Sequence, residues 1–189
     1  SGGTFTKTTV DVHSPGAFPK LVVDAAGGVH ALYRDVFFDD LAYAYQPAGG
    51  AFTKTTIDVH ATGDDPKLVV DGSGGVHALY HDVFFGDLDY SYKPAGGAFT
   101  ETTIDVHEPG DHPKLWVDGS GGVHALYLDT FFGDLDYSYK PSGGAFSETT
   151  IDVHTPGDDV RLVVDASGGL HALYHDTFFD DLDYAYRCP

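Results

Sequence analysis

The stretch Leu68-Val-Val-Asp-Gly-Ser-Gly-Gly-Val-His-Ala-Leu-Tyr-His-Asp82 decides the fold. A short β-branched run, a Gly-rich turn opened by Asp71 and a second apolar run read as two strands joined by a tight connection. Working outward, Phe52 to Val59 alternates polar and apolar residues and is rich in Thr, as a partly exposed strand should be. Leu88 to Tyr92 supplies a fourth strand, closed by Lys93-Pro-Ala-Gly-Gly97. No 3.6-residue period persists long enough for a helix.

This unit fills the chain. Residues 2–48, 49–95, 96–142 and 143–189 align without a gap, and 25 of the 47 positions are identical in all four copies. Four short strands in a repeat of this length are the mark of a propeller blade. The expected fold is therefore all-β: one domain over residues 1–189, a four-bladed β-propeller with four-stranded antiparallel blades. With the Lys67–Asp71 strand innermost, the strand bearing Thr, Lys and Glu lies outermost, where charge discourages edge pairing. The chain opens on such an outer strand, Phe5 to Val12, and ends on a third strand, Leu182 to Tyr186. That phase predicts 3+1 closure of the last blade by the N-terminal strand.

Charge narrows the partners. Ten Lys and Arg against 29 Asp and Glu give a net charge of −19. Nucleic acid needs cationic side chains to displace its counterions, and anionic membrane surfaces impose the same demand. No apolar run approaches the roughly 20 residues of a membrane-spanning helix. Cationic partners, divalent metals and neutral sugars fit the charge. The single cysteine, Cys188, allows no disulfide within these residues, leaving a free thiol or a link to another chain. A start at Ser1 fits an exported, processed product and an excised domain equally.

The repeat resembles one common in secreted bacterial β-propellers, patterned Leu-x-x-Asp-x-x-Gly-x-x-His-x-x-Tyr-x-Asp and then Leu-x-Tyr-Ala, and the likeness covers all four units. That family usually carries Gly-Asn before the His, where this chain has Gly-Gly. The resemblance implies a propeller that is secreted or at the cell surface; it implies no particular activity.

Propeller topology places the loops between outer and inner strands, and between second and third strands, on one face. There the repeat sets a Phe pair between two carboxylates. The candidate ligand-binding residues are Asp35, Phe38, Asp40, Asp82, Phe85, Asp87, Asp129, Phe132, Asp134, Asp176, Phe179 and Asp181. Such Asp side chains either accept hydrogen bonds from sugar hydroxyls beneath an aromatic ring or brace their own turn. The Phe pairs either pack into the blade corners or stand exposed. His30, His77, His124 and His171 read as buried, hydrogen-bonded strand residues; His13, His60, His107 and His154 end the outer strands. Asp24, Asp71, Asp118 and Asp165 end the innermost strands. They brace an Asp-x-x-Gly-Gly turn or, converging near the axis, hold a hard cation, which makes calcium the candidate cofactor.

No nucleophile elbow, P-loop or zincin motif is present, and every chemical group occurs four times. Repetition suits multivalent binding. The expected function is non-catalytic, lectin-like recognition of glycans or cell-surface polysaccharide. The alternative is a structural or self-assembling extracellular module.

Overall fold

The computed structural model describes residues 3–12, 16–59, 65–106, 113–154 and 159–188. Four antiparallel sheets follow one another along the chain, each in sequence order. The first holds β1 (Gly16–Val23), β2 (Val29–Asp35), β3 (Asp40–Gln46) and β4 (Thr53–Asp58). The second holds β5 (Lys67–Val70), β6 (Val76–Asp82), β7 (Asp87–Lys93) and β8 (Thr100–Asp105). The third holds β9 (Lys114–Val117), β10 (Val123–Asp129), β11 (Asp134–Lys140) and β12 (Ser147–Asp152). The fourth has three strands, β13 (Arg161–Val164), β14 (Leu170–Asp176) and β15 (Asp181–Arg187). No helix occurs among the described residues.

Turn chemistry sets the hairpins. The Asp71 carbonyl accepts from the Gly74 amide, and Gly74 has φ of 82°, a left-handed conformation glycine adopts without steric cost. A Cβ on Gly75 would lie 2.4 Å from the Asp71 carboxylate. Both glycines of the pair are therefore required, one for its backbone angle and one for the space.

The core lies between sheets. Leu41 and Tyr43 of the first sheet pack on Val76, Ala78 and Tyr80 of the second. Leu88 and Tyr90 repeat this against Val123, Ala125 and Tyr127, and Leu135 and Tyr137 against Leu170, Ala172 and Tyr174. Each buried leucine contributes about 2 kcal/mol from its removal from water. The inner strands follow suit, β1 beside β5, β5 beside β9 and β9 beside β13, and among the described residues no comparable contact joins β13 to β1.

The two ends of this series are open. Leu41, Leu88 and Leu135 are 0% exposed, whereas Leu182 at the same repeat position is 70% exposed. At the other end Leu21 and Val23 are exposed, while their counterparts Leu68 and Val70 pack against the preceding sheet. Residues 3–12 form no strand, so the pairing of Phe5–Val12 with β15 is not made, and Phe5 stands in solvent. Asp11 nevertheless holds an outer-strand position relative to the first sheet. It accepts a hydrogen bond from the Tyr33 hydroxyl at 3.1 Å and one from Lys54 Nζ at 2.7 Å. Trp116 remains exposed in β9, lining a groove with Val164 and Ala166.

Candidate functional site: acidic clefts between sheets

The hairpin joining the second and third strands of each sheet is closed by an Asp pair, such as Asp129 opposite Asp134. Asp129 is buried, and its Oδ1 accepts from the amides of Phe131 at 2.8 Å and Phe132 at 3.1 Å. Asp35, Asp82 and Asp176 brace their turns the same way. These four residues thus do the turn work the sequence allowed for, each with one carboxylate oxygen. The last loop position has positive φ and is Gly86 or Gly133 in the middle sheets, but Asp39 or Asp180 in the outer two. There Arg34 pairs with Asp39 at 2.7 Å and His175 lies 3.1 Å from Asp180.

Bracing the turn pushes both phenylalanines outward. Phe37 and Phe38, Phe84 and Phe85, Phe131 and Phe132, and Phe178 and Phe179 are all exposed, and each pair meets edge to face at about 4.9 Å. The buried-corner reading of these pairs is not what the fold does: a four-residue loop this tight leaves no interior to receive them.

Beneath the exposed rings the sheets bring carboxylates together. Between the second and third sheets, Asp105 ends β8, Asp129 ends β10 and Asp136 lies in β11, with ligand-capable atoms all within 4.8 Å of one another. Phe132, Asp134, Glu148 and Thr150 line the same cleft. Between the first and second sheets, Asp58, Asp89 and Glu101 form the equivalent group. The Tyr80 hydroxyl donates to Glu101 Oε2 at 2.6 Å and that of Tyr127 to Glu148 Oε2 at 2.7 Å. Burial first, then neighbouring acidic groups, raise Asp89 to about 7 and Asp136 to about 6, against the pull of Thr103 and Thr150. Burial, followed by Asp82 and Asp105, also raises Asp87. Asp40 is raised by burial and then by Asp35.

The first sheet solves the same crowding differently. Ala42 stands where Asp89 and Asp136 stand, and Lys54 where Glu101 and Glu148 stand. The Lys54 ammonium bonds both Asp11 and Asp35 and lies 5.6 Å from the centre of the Phe38 ring. Between the third and fourth sheets Asp152, His154 and Asp176 converge, with His154 about 5.3 Å from the Phe178 ring. His13, His60 and His107 lie outside the described residues.

The inner-strand aspartates are occupied elsewhere. Asp71 Oδ1 accepts from the Ser73 and Gly75 amides, and its Oδ2 lies 3.1 Å from His77 Nε2. Asp24, Asp118 and Asp165 repeat these contacts with His30, His124 and His171. These four carboxylates are not gathered into one group; each serves its own turn and histidine. His77 is buried, its Nδ1 2.7 Å from the Tyr90 hydroxyl. Partial burial pushes Asp71 up, but the Ser73 hydroxyl, His77 and the turn amides outweigh it and hold the carboxyl at about 2. Its folded-state value lies below the ordinary 3.8, so its stabilisation is present above that pH and lost as pH falls through about 2. The melting-temperature gap between the parent and Asp71→Asn should therefore be wide at pH 5 and close towards pH 2. A gap independent of pH would show that the charge of Asp71 does not support the turn.

No protein-family model and no curated protein matches the chain. Solved structures do. The NanB sialidase of Streptococcus pneumoniae superposes with a TM-score of 0.54 at 11% identity, over 87% of this chain and 28% of its own. A family 43 β-1,3-galactosidase gives 0.53 at 12%, over 90% and 42%, and the exo-β-1,3-galactanase of Phanerochaete chrysosporium 0.54 at 7%, over 86% and 44%. The chain thus spans less than half the length of each. At these identities the likeness is one of fold, and that fold is propeller-type.

Of the sequence candidates, Asp129, Phe132 and Asp134 come together in one cleft. Missed were Asp58, Asp105, Asp89, Asp136, Glu101 and Glu148. A signal for them existed: the Lys54–Ala42 combination changes together into Glu101–Asp89 and Glu148–Asp136.

Proposed function

We propose that this chain is a non-catalytic, lectin-like module that binds glycans or surface polysaccharide outside the cell or at its surface, through the acidic clefts between sheets. The observation that carries this reading is the cleft between the second and third sheets, which the exposed Phe132 lines together with Asp129, Asp134 and Asp136. An aromatic ring and acceptor oxygens in one cleft suit a sugar ring, apolar on one side and hydroxylated at its rim. Its repetition along the chain suits weak sites acting together. The sialidase, galactosidase and galactanase named above act on carbohydrates, which agrees with a carbohydrate ligand here. A glycan array probed with a multimerised form of the protein in calcium-containing buffer should give hits. The best glycan should also remain uncleaved on prolonged incubation. A blank array would remove the proposal, and cleavage would remove its non-catalytic part.

The architecture proposed with this function is a closed four-bladed ring. The exposed face around Leu182 meets the one around Leu21 and Val23, and residues 5–12 add to β15 as its outer strand. Asp11, already beside Tyr33 and Lys54, supports this. Deleting residues 1–12 should then lower the melting temperature and broaden the transition; an unchanged melt would contradict closure. A second reading, a self-assembling structural module, is favoured by the same exposed faces, because apolar surface at both ends of a repeat array can join copies head to tail. Light scattering separates the two: a closed ring is a monomer, and an assembling module grows in mass with concentration.

A further inference from the structure

The geometry points to two hard divalent-cation sites of the calcium type, one formed by Asp58, Asp89 and Glu101 and the other by Asp105, Asp129 and Asp136, whose place in the first sheet is taken by the Lys54 ammonium. Three observations converge on it. First, the grouped ligand atoms all lie within 4.8 Å of one another, the spread allowed to oxygens that each approach one ion at about 2.4 Å.

Second, Asp89 and Asp136 are each 3% exposed, and Oδ1 of each is buried with no hydrogen-bond partner among the described residues. Burying a carboxylate oxygen without a donor is costly, and a native fold satisfies such atoms with a partner. The partner demanded here is positive, because every other member of the first group is a carboxylate and Glu148 adds a fourth beside the second.

Third, the repeat carries its own control. In the first sheet the equivalent space holds Asp11 and Asp35 with a lysine bonded to both, and the third aspartate is Ala42. In the next two sheets the lysine position is Glu101 or Glu148 and the alanine position Asp89 or Asp136, so two acidic groups become four and the lysine is gone. All ligands are oxygens, three or more per site and carboxylate-rich, which selects a hard ion over zinc or copper.

This inference stands whether or not a glycan binds, and its test uses no glycan. The full chain, stripped with a chelator, is titrated with calcium by calorimetry and with terbium by luminescence excited through tyrosine. Tyr80 donates to Glu101 of the first group and Tyr127 to Glu148, which lines the cleft of the second, so both should sensitise the emission. Asp89→Asn and Asp136→Asn should each remove one equivalent of bound ion or weaken it at least tenfold, and the double variant both. Circular dichroism checks that each variant is folded. The double substitution Ala42→Asp, Lys54→Glu converts the first sheet to the pattern of the others and should add one equivalent. Absence of binding at millimolar calcium, or a stoichiometry and affinity unmoved by the Asn variants, would overturn the assignment.

Discussion

Replacing Lys54 by alanine is expected to destabilise the protein by about 3 kcal/mol, because it strips the shared counter-ion from Asp35 and Asp11. The Asp35 side chain is fully buried and that of Asp11 nearly so. Taking away one partner of such a group leaves charge that water cannot reach, which costs far more than losing an exposed ion pair. Equilibrium urea unfolding of parent and variant measures the difference. A loss below about 1 kcal/mol would mean that the two carboxylates are neutralised by some other route, and the parallel drawn between Lys54 and a bound cation would weaken with it. The Phe38 contact adds a smaller contribution of about 0.5–1 kcal/mol, which Phe38→Ala reads separately.

The second large effect concerns the leucine shared by all four sheets. Leu88→Ala removes a side chain packed between sheets beside Tyr90, Val123 and Tyr127, and should cost about 2–5 kcal/mol as transfer and cavity contributions add. The matched substitution Leu182→Ala tests ring closure. If β15 receives the face of the first sheet, Leu182 is packed as Leu88 is, and its loss costs a comparable amount. An open array leaves Leu182 in solvent and the substitution nearly neutral. Thermal melts of the two variants, measured side by side, decide between these outcomes.

The arrangement of strands was plain from the sequence because the repeat is consistent at every level. Asp-x-x-Gly-Gly turns, β-branched inner strands and Thr-rich outer strands all specify the same hairpin order, and the four sheets follow it. The histidine ring was legible for the same reason: His77 lies in an apolar strand, opposite Tyr92, where a buried polar ring must find partners. Closure was expected from the strand phase, but residues 3–12 form no strand and the fourth sheet keeps three. It depends on the angle between successive sheets, which is set by packing of Leu and Tyr faces and leaves no periodic trace. The Phe pairs were ambiguous because alternation along a strand says nothing about a four-residue loop.

The candidate site was half legible. Asp129, Phe132 and Asp134 are neighbours in sequence, so one repeat was enough to group them. Asp105 and Asp136 come from different strands, and Asp105 from the preceding sheet. Only the stacking of one sheet on the next brings them to the same cleft, and the repeat unit taken alone cannot show that. The inner-strand aspartates had two readings, a braced turn and a shared cation, and the hydrogen bonds show the first. Each also has a partner in its own histidine, which the repeat unit taken alone did not pair with it.

The measurement that bears most directly on the account is a calorimetric titration of the array-selected glycan into the parent and into the Phe85→Ala, Phe132→Ala double variant, both shown to be folded. If the clefts between sheets are the binding surface, the parent binds in more than one equivalent and the variant loses at least tenfold in affinity. Equal binding by the two proteins would contradict it.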